Sequence, residues 1–464
     1  MSRQSRIAKA RKVLNQRRNA QSIISPFAKF FKQQTTGGVL LLTFSIIAIA
    51  AANLPWLRWL HDFWDKDLTL AFNFVTSYLP LRTVKEWVNS GLMAIFFFFI
   101  ALELKREIVI DQSSSRNILL PIFAAIGGAI VPAAIYLFVN GGVAAPGSSG
   151  WGTTSTTGIA LTICILSLLK SRVPLAIKVF FMSVAIMDTL LTVVVMSVLY
   201  PSHAIYFGFL IAAAAVVGVL MLLNRFRVNY AFPYFALGIL LWFLVLRSGI
   251  HATVAGIALA LTIPSSIKIN QVRFYARSKF MLEKFKKAYN SATPLLRNER
   301  EQEQIVNLQR EINKATPLIL RTESALYAWV HFCIMPIFAL ANIGITINSA
   351  AVGMLTSATA VGIFLGLVLG KPIGITLMSF IAVKFKLAFL PEKTRWIEIL
   401  GVGMLAGMGF SMSFFADTIA FYSGDMVDLQ NLGKLVILIS TLFSAICGYL
   451  LLTVACKKNA SHAS

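Results

Sequence analysis

VFFMSVAIMDTLLTVVVMSVLY, residues 179–200, is a 22-residue apolar run holding a single charge, Asp188. A run of that length crosses the roughly 30 Å hydrocarbon core of a bilayer as one helix. Lys178 marks one end, so at about 1.5 Å per residue the carboxylate lies about 15 Å in, close to the middle. A lone carboxylate at that depth costs several kcal/mol, and such residues face a water-filled cavity or an ion path. The stretch therefore decides the fold class and nominates a site. The residue after Asp188 is Thr189.

The rest of the chain extends this reading. Of 464 residues, 57% are hydrophobic and 13% charged, with a mean hydropathy of +0.74, whereas about a quarter of an average soluble domain is charged. Twelve apolar spans are read, at 38–56, 88–109, 118–139, 153–169, 179–200, 203–222, 230–246, 249–264, 324–345, 354–383, 397–422 and 433–455. The expected fold is all-α and polytopic, because a single apolar segment satisfies its own backbone in lipid only as a helix. The domains are a basic tail (1–37), spans one to eight (38–264), a polar insert (265–322), spans nine to twelve (323–456) and a short tail (457–464).

A net charge of +23 in a soluble protein would point to nucleic acid, but here its distribution points to topology. The first 33 residues carry nine Lys/Arg and no acid. With the N-terminus inside, 35 of the 42 Lys/Arg fall on one side, six on the other, and Lys371 deep within a span. The positive-inside rule makes the richer side cytoplasmic, with both termini there. The basic tail suits anionic lipid better than nucleic acid. It is also too long for the usual signal peptide, so the first span is expected to be retained. Cys164, Cys333, Cys447 and Cys456 lie in or beside spans with no metal-type spacing and read as small apolar fillers.

Loops are short except for 265–322, where NEREQEQIVNLQREINK (298–314) spaces Ile305, Leu308 and Ile312 as an amphipathic helix, either solvated or a regulatory docking element. Outside, 55–87 reads as an interfacial element or a subunit contact. Two spans are irregular. The fourth opens with Gly152-Thr153-Thr154-Ser155-Thr156-Thr157-Gly158, a poor helix run, and the eleventh holds Gly401, Gly403, Gly407 and Gly409. By helical rise Thr157 and Gly407 lie about 20 Å and about 14 Å from the cytoplasmic ends, so both interruptions fall near the midplane in spans of opposite direction. Paired broken helices mark an ion or substrate site; glycine-mediated packing is the plainer reading.

Lys371, in Gly370-Lys371-Pro372-Ile373-Gly374, lies about 20 Å from the cytoplasmic face. Pairing with Asp188 is the economical arrangement for two buried charges. It would be a structural ion pair or, because the helix is disrupted at Pro372 and room for water opens, a proton-coupled one. Glu103 and Glu107 share a helix face at the end of span two, and Glu323 starts span nine; they form an acidic cluster or ordinary interfacial pairs. His251 titrates near neutrality or is simply a hydrogen-bonded buried histidine. Asp417 is expected at the interface.

At these motifs the sequence resembles the NhaA family of bacterial sodium/proton antiporters over most of its length. The resemblance is carried by LMAIFFFFIALELKRE (92–107), PIFAAIGGAIVPAAIY (121–136), GWGTTSTTGIAL (150–161), SRVPLAIKVF with VAIMD (171–188), SGIHATVAG (248–256), PIFALANIGI (336–345), GKPIGI (370–375) and GMGFSMSFF (407–415). It implies inverted repeats with two broken helices crossing near the midplane. It assigns Asp188 to the first position of the family's aspartate pair and Lys371 to its membrane lysine. Glu103, Glu107, Glu323 and His251 match residues linked in the family to proton access and pH response. The departures are Thr189 at the second aspartate, Gly158 at the aspartate of the first broken helix, and Ser90 at an acid near the start of span two.

In that pair only Asp188 can titrate. A sodium ion would draw on Asp188, on the hydroxyls of Thr157 and Thr189, and on broken backbone at Gly158, Gly407 and Gly409. The expected function is exchange of Na+ or Li+ for protons in the bacterial cytoplasmic membrane, serving pH and sodium homeostasis with altered coupling. The alternative is a transport-silent homologue acting as a sensor or structural membrane protein. Partners are Na+ or Li+, protons, membrane lipids and, at a subunit contact, a second copy of the chain; nucleic acid and cofactors are not expected. No nucleophile–base set suggests an enzyme.

Overall fold

The computed structural model describes residues 36–68, 81, 83–110, 115–145, 147–169, 173–201, 204–265, 271–288, 299–346, 353–391, 394–421 and 427–461. The basic tail thus lies almost wholly outside the described residues. The helices, in chain order, are α1 (Thr36–Asn53), α2 (Val84–Val109), α3 (Leu119–Val139), α4 (Trp151–Ser155), α5 (Ile159–Leu168), α6 (Leu175–Leu199), α7 (Phe207–Arg225), α8 (Ala231–Ser248), α9 (Thr253–Thr262), α10 (Gln271–Ala288), α11 (Glu299–Ala315), α12 (Leu318–Asn342), α13 (Ala358–Lys384), α14 (Trp396–Ala406), α15 (Phe410–Ala420) and α16 (Val427–Ser461).

Among the described residues, ten stretches are long and apolar enough to cross a bilayer, with α4 and α5 together making one. The pair α14–α15, bent by 52° at its break, makes an eleventh. The span expected at 249–264 is shorter than read. A turn with Gly249 at φ 90° delays the helix to Thr253, and ten residues reach only about 15 Å. At the other end of the chain, α16 continues past its apolar part to Ser461, beyond the expected limit.

The chain divides into two compact units. The first comprises residues 1–61, 119–192 and 335–464, and holds both broken spans, most of α6 and α13. Its helices approach closely at small residues. A Cβ on Gly370 would lie 2.7 Å from Pro132 Cα, one on Gly374 2.1 Å from Gly127 O, and one on Gly403 2.7 Å from Pro372 Cα. The glycines flanking Lys371 are therefore filled by neighbouring backbone, the interface chemistry of membrane helices, and do not open the room for water that the sequence suggested. Nor is α13 broken at Pro372. It widens by one residue over Gly366–Gly370, and the Lys371 N–H donates to Gly366 O, five residues back. Pro372 brings no N–H and crowds the carbonyl four residues before it, which is a cause of such widened turns.

The second unit, residues 62–118 and 193–334, holds α2, α7–α11 and most of α12. There α2 packs on α9, where a Cβ on Gly256 would lie 2.1 Å from Ala94 O. The polar insert forms the hairpin α10–α11, with Arg277 of one helix 3.5 Å from Glu311 of the other.

Candidate ion site

The run of hydroxyl residues in the fourth span ends one helix and starts another. After α4, Thr156 is extended (φ −97°, ψ 156°) and Gly158 leaves the helical region (φ −79°, ψ 89°) before α5. The eleventh span breaks between Gly407 and Gly409, and Phe410 is held at φ 34°, sparsely populated backbone for a bulky residue. Of the four glycines here, Gly401 and Gly403 serve packing, against Leu452 and Pro372, while Gly407 and Gly409 lie at the break.

The two breaks meet. Ser413 Oγ lies 3.1 Å from Thr156 Oγ1 and donates to Thr153 O at 2.7 Å. Thr157 Oγ1 reaches Ala406 O at 3.0 Å, the Gly158 N–H donates to Met408 O at 2.8 Å, and Thr162 Oγ1 reaches Leu405 O at 3.3 Å. As one span advances from 153 to 162 its partners fall from 413 to 405, so the broken helices run antiparallel. Broken helices leave backbone groups without intrahelical partners, and in hydrocarbon each such group costs several kcal/mol. The threonines and serines supply the missing partners, which explains why a run of poor helix formers sits inside a membrane-length apolar stretch.

Asp188 and Thr189 on α6 face this crossing. Asp188 Oδ2 accepts from Lys371 Nζ at 2.5 Å and from Thr157 Oγ1 at 2.8 Å, and Oδ1 accepts from Thr189 Oγ1 at 3.1 Å. Lys371 Nζ also donates to Ser155 O at 2.6 Å and to Thr157 Oγ1 at 3.1 Å. Its three N–H donors thus have three acceptors, the full complement of an ammonium. Asp188, Lys371, Thr157 and Thr189 are wholly shielded from solvent. Lys371 further serves as a C-terminal cap, because Ser155 O closes α4 and carries the partial negative charge of a helix end. Thr192, one turn beyond Asp188, donates to the same carbonyl at 3.3 Å.

Gly158 stands against the crossing strand. A Cβ there would lie 2.7 Å from both Met408 O and Gly409 O. The carboxylate that the family resemblance leads one to expect at this position is excluded by backbone that has closed over it.

The remaining candidates divide. In the second unit, Glu103 is buried on α2, and its Oε1 meets no hydrogen-bond donor among the described residues. Arg106 pairs with Glu323 at 3.0 Å, which brings α12 beside Glu103 and Glu107. Lys105 donates to the carbonyls of Leu261, at 2.6 Å, and Ile263, beyond the last turn of α9. His251 precedes the first turn of that helix, with Nδ1 3.1 Å from Thr253 Oγ1. About 15 Å of α9 separates it from the acids, so the structure does not bring it to them. Asp417, expected at the interface, is fully buried in α15 beside Gly433 of α16. Ser90 is buried in a widened turn of α2, where its carbonyl accepts from Trp242 Nε1 at 2.8 Å. Reading the sequence missed Ser413, Thr192 and the carbonyl of Ser155. Thr192 had a signal, its spacing of four from Asp188.

Two antiparallel broken helices and a buried carboxylate–ammonium pair at their crossing define a multi-pass membrane protein of the broken-helix transporter class. The sequence matches the Na+/H+ antiporter 1 family over residues 28–452, and the chain belongs to that family. It is 39% identical to "Na(+)/H(+) antiporter NhaA" of Oleidesulfovibrio alaskensis over 433 residues, covering 93% of this chain and 94% of that one. It is 35% identical to the protein of the same name from Koribacter versatilis (93% and 91% covered), and 37% identical to that of Acidithiobacillus ferrooxidans (94% and 99%).

Proposed function

We propose that the chain exchanges Na+ or Li+ for protons across the bacterial cytoplasmic membrane at the Asp188–Lys371 pair, with Thr157 and Thr189 as auxiliary ligands. The observation that carries this is the satisfied ammonium. Lys371 Nζ is held by Asp188 Oδ2, Thr157 Oγ1 and Ser155 O, three oxygens of the kind a hard alkali cation takes in place of water. Cation and ammonium therefore compete for one position. When the cation enters, Lys371 leaves and gives up its proton, because a second positive charge beside one carboxylate has no counter-charge in a dry interior. The loaded site holds Asp188, the cation and a neutral lysine; the empty site holds Asp188 and a charged one. Both carry zero net charge, so one proton moves per cation.

The positive-inside rule puts both termini and the α10–α11 hairpin in the cytoplasm. The acids Glu103, Glu107 and Glu323 then lie toward that side and serve proton access. The loss of two membrane carboxylates, at Gly158 and Thr189, favours a second reading, a homologue that senses or scaffolds without transport.

Proteoliposomes with an internal pH dye decide between them. Adding sodium or lithium drives proton flux at some pH within roughly 6–9, where a proton-coupled group must titrate to work. Asp188→Asn abolishes it, and an imposed membrane potential leaves its rate unchanged. Absence of cation-dependent flux across that range sinks the transport reading; voltage-dependent flux retains transport and sinks the one-for-one mechanism.

A further inference from the structure

α10, QVRFYARSKFMLEKFKKA, carries six basic residues (Arg273, Arg277, Lys279, Lys284, Lys286, Lys287) against one acid, Glu283. Its partner α11 is close to neutral, with Glu299, Glu301, Glu303 and Glu311 against Arg300, Arg310 and Lys314. The net positive charge of the hairpin thus resides on one helix. Phe274, Met281 and Phe285 are partly covered, whereas Tyr275 is 69% and Leu282 55% exposed. At helical spacing Tyr275, Lys279, Leu282 and Lys286 form a single stripe, and both lysines are exposed. Phe280 is also exposed, but it lies off the stripe with Lys284 Nζ 4.8 Å above its ring.

A stripe that alternates an aromatic, an aliphatic and two lysines suits neither water nor the hydrocarbon core. It suits the interface, where tyrosine sits at headgroup depth and lysine stems lie along apolar surface while their ammonium groups meet phosphate. The chain keeps the start of the helix near that depth. α11 ends two residues before α12, which is a membrane span. α10 begins five residues after the segment that follows α9, a tether of about 20 Å at full extension.

We infer that α10 lies on the bilayer surface with the Tyr275–Lys279–Leu282–Lys286 stripe toward the membrane and binds anionic lipid headgroups. The competing occupants are a second copy of the chain, for which α11 offers Ile305, Val306 and Ile312, all exposed, and an acidic soluble protein. The net positive charge of α10 favours lipid, since each basic side chain near an anionic surface adds to the attraction.

The full-length protein with a photoreactive phenylalanine analogue at Tyr275 tests this, in liposomes of neutral phosphatidylcholine or with about a third phosphatidylglycerol. We expect a lipid adduct at 275 whose yield rises roughly threefold or more with the anionic lipid and falls with salt. The rise disappears in the Lys279→Glu/Lys286→Glu variant, and the same analogue at Phe280 gives little adduct. Equal yields in the two membranes overturn the inference, as does an adduct to a second copy of the chain, or to added cytosolic protein in place of lipid. The comparison between membranes uses the unaltered charge set, so it stands even if the glutamate variant folds poorly.

Discussion

At Gly158 and Thr189 the chain lacks two acids that the family resemblance leads one to expect, and the two positions differ physically. The backbone of Met408 and Gly409 stands where a side chain on residue 158 would begin, and neither carbonyl can move without shifting the break it belongs to. Thr189 is an ordinary side chain whose hydroxyl already touches Asp188 and Thr157. Gly158→Ala is therefore expected to lower stability by about 1–3 kcal/mol, read as a drop in the thermal midpoint of the detergent-purified protein, and Gly158→Asp to abolish assembly. Thr189→Asp should assemble and make exchange voltage-dependent by adding a second carboxylate to the site. Stable, well-assembled Gly158→Asp protein would contradict the packing at this crossing. Asp188 and Lys371 were legible because a single charge in a long apolar run is conspicuous and its depth follows from counting. Ser413 and the Ser155 carbonyl were not, because backbone carbonyls, to which Ser413 and Lys371 both donate, are present at every residue and silent in the sequence. Thr192 was signalled only by its spacing from Asp188.

At the scale of elements, the breaks were legible and their construction was not. Glycines bracketing Thr153–Thr157 announced an interruption, yet nothing in the residue types announced that Phe410 would take a positive φ. The proline after Lys371 suggested a broken helix; the chain instead takes up one additional residue in the turn Gly366–Gly370 and continues. That residue sets where the lysine points, since one residue is about 100° of helix rotation. Deleting Leu369, a half-exposed residue of this turn, is expected to swing Lys371 away from Asp188 and abolish cation-driven flux. Leu369→Ala should keep it nearly intact. Equal activity in the two variants, measured on protein recovered in equal amounts, would show that the turn does not set the lysine's direction.

At the scale of the whole molecule, the described residues hold twelve apolar regions where twelve were read, although α9 is too short to cross alone and α14–α15 cross only as a bent pair. Hydropathy registers how many residues avoid water but not where a turn such as that at Gly249 cuts a helix short. The predicted sidedness is open to direct measurement. Alkaline phosphatase fused after Gly142 is expected to be active and after Ala288 inactive, and the reverse pattern would invert the orientation given by the positive charges. One consequence reaches beyond the protein to the cell. In the proposed exchange, Lys371 and Asp188 neutralise each other in one loading state, and cation and Asp188 do so in the other. On that arithmetic the electrical part of the proton-motive force does no work on the exchange. At equilibrium the ratio of sodium inside to outside would equal the ratio of protons inside to outside. A cell relying on this chain could expel sodium against its gradient only while its interior was the more alkaline side, however large its membrane voltage.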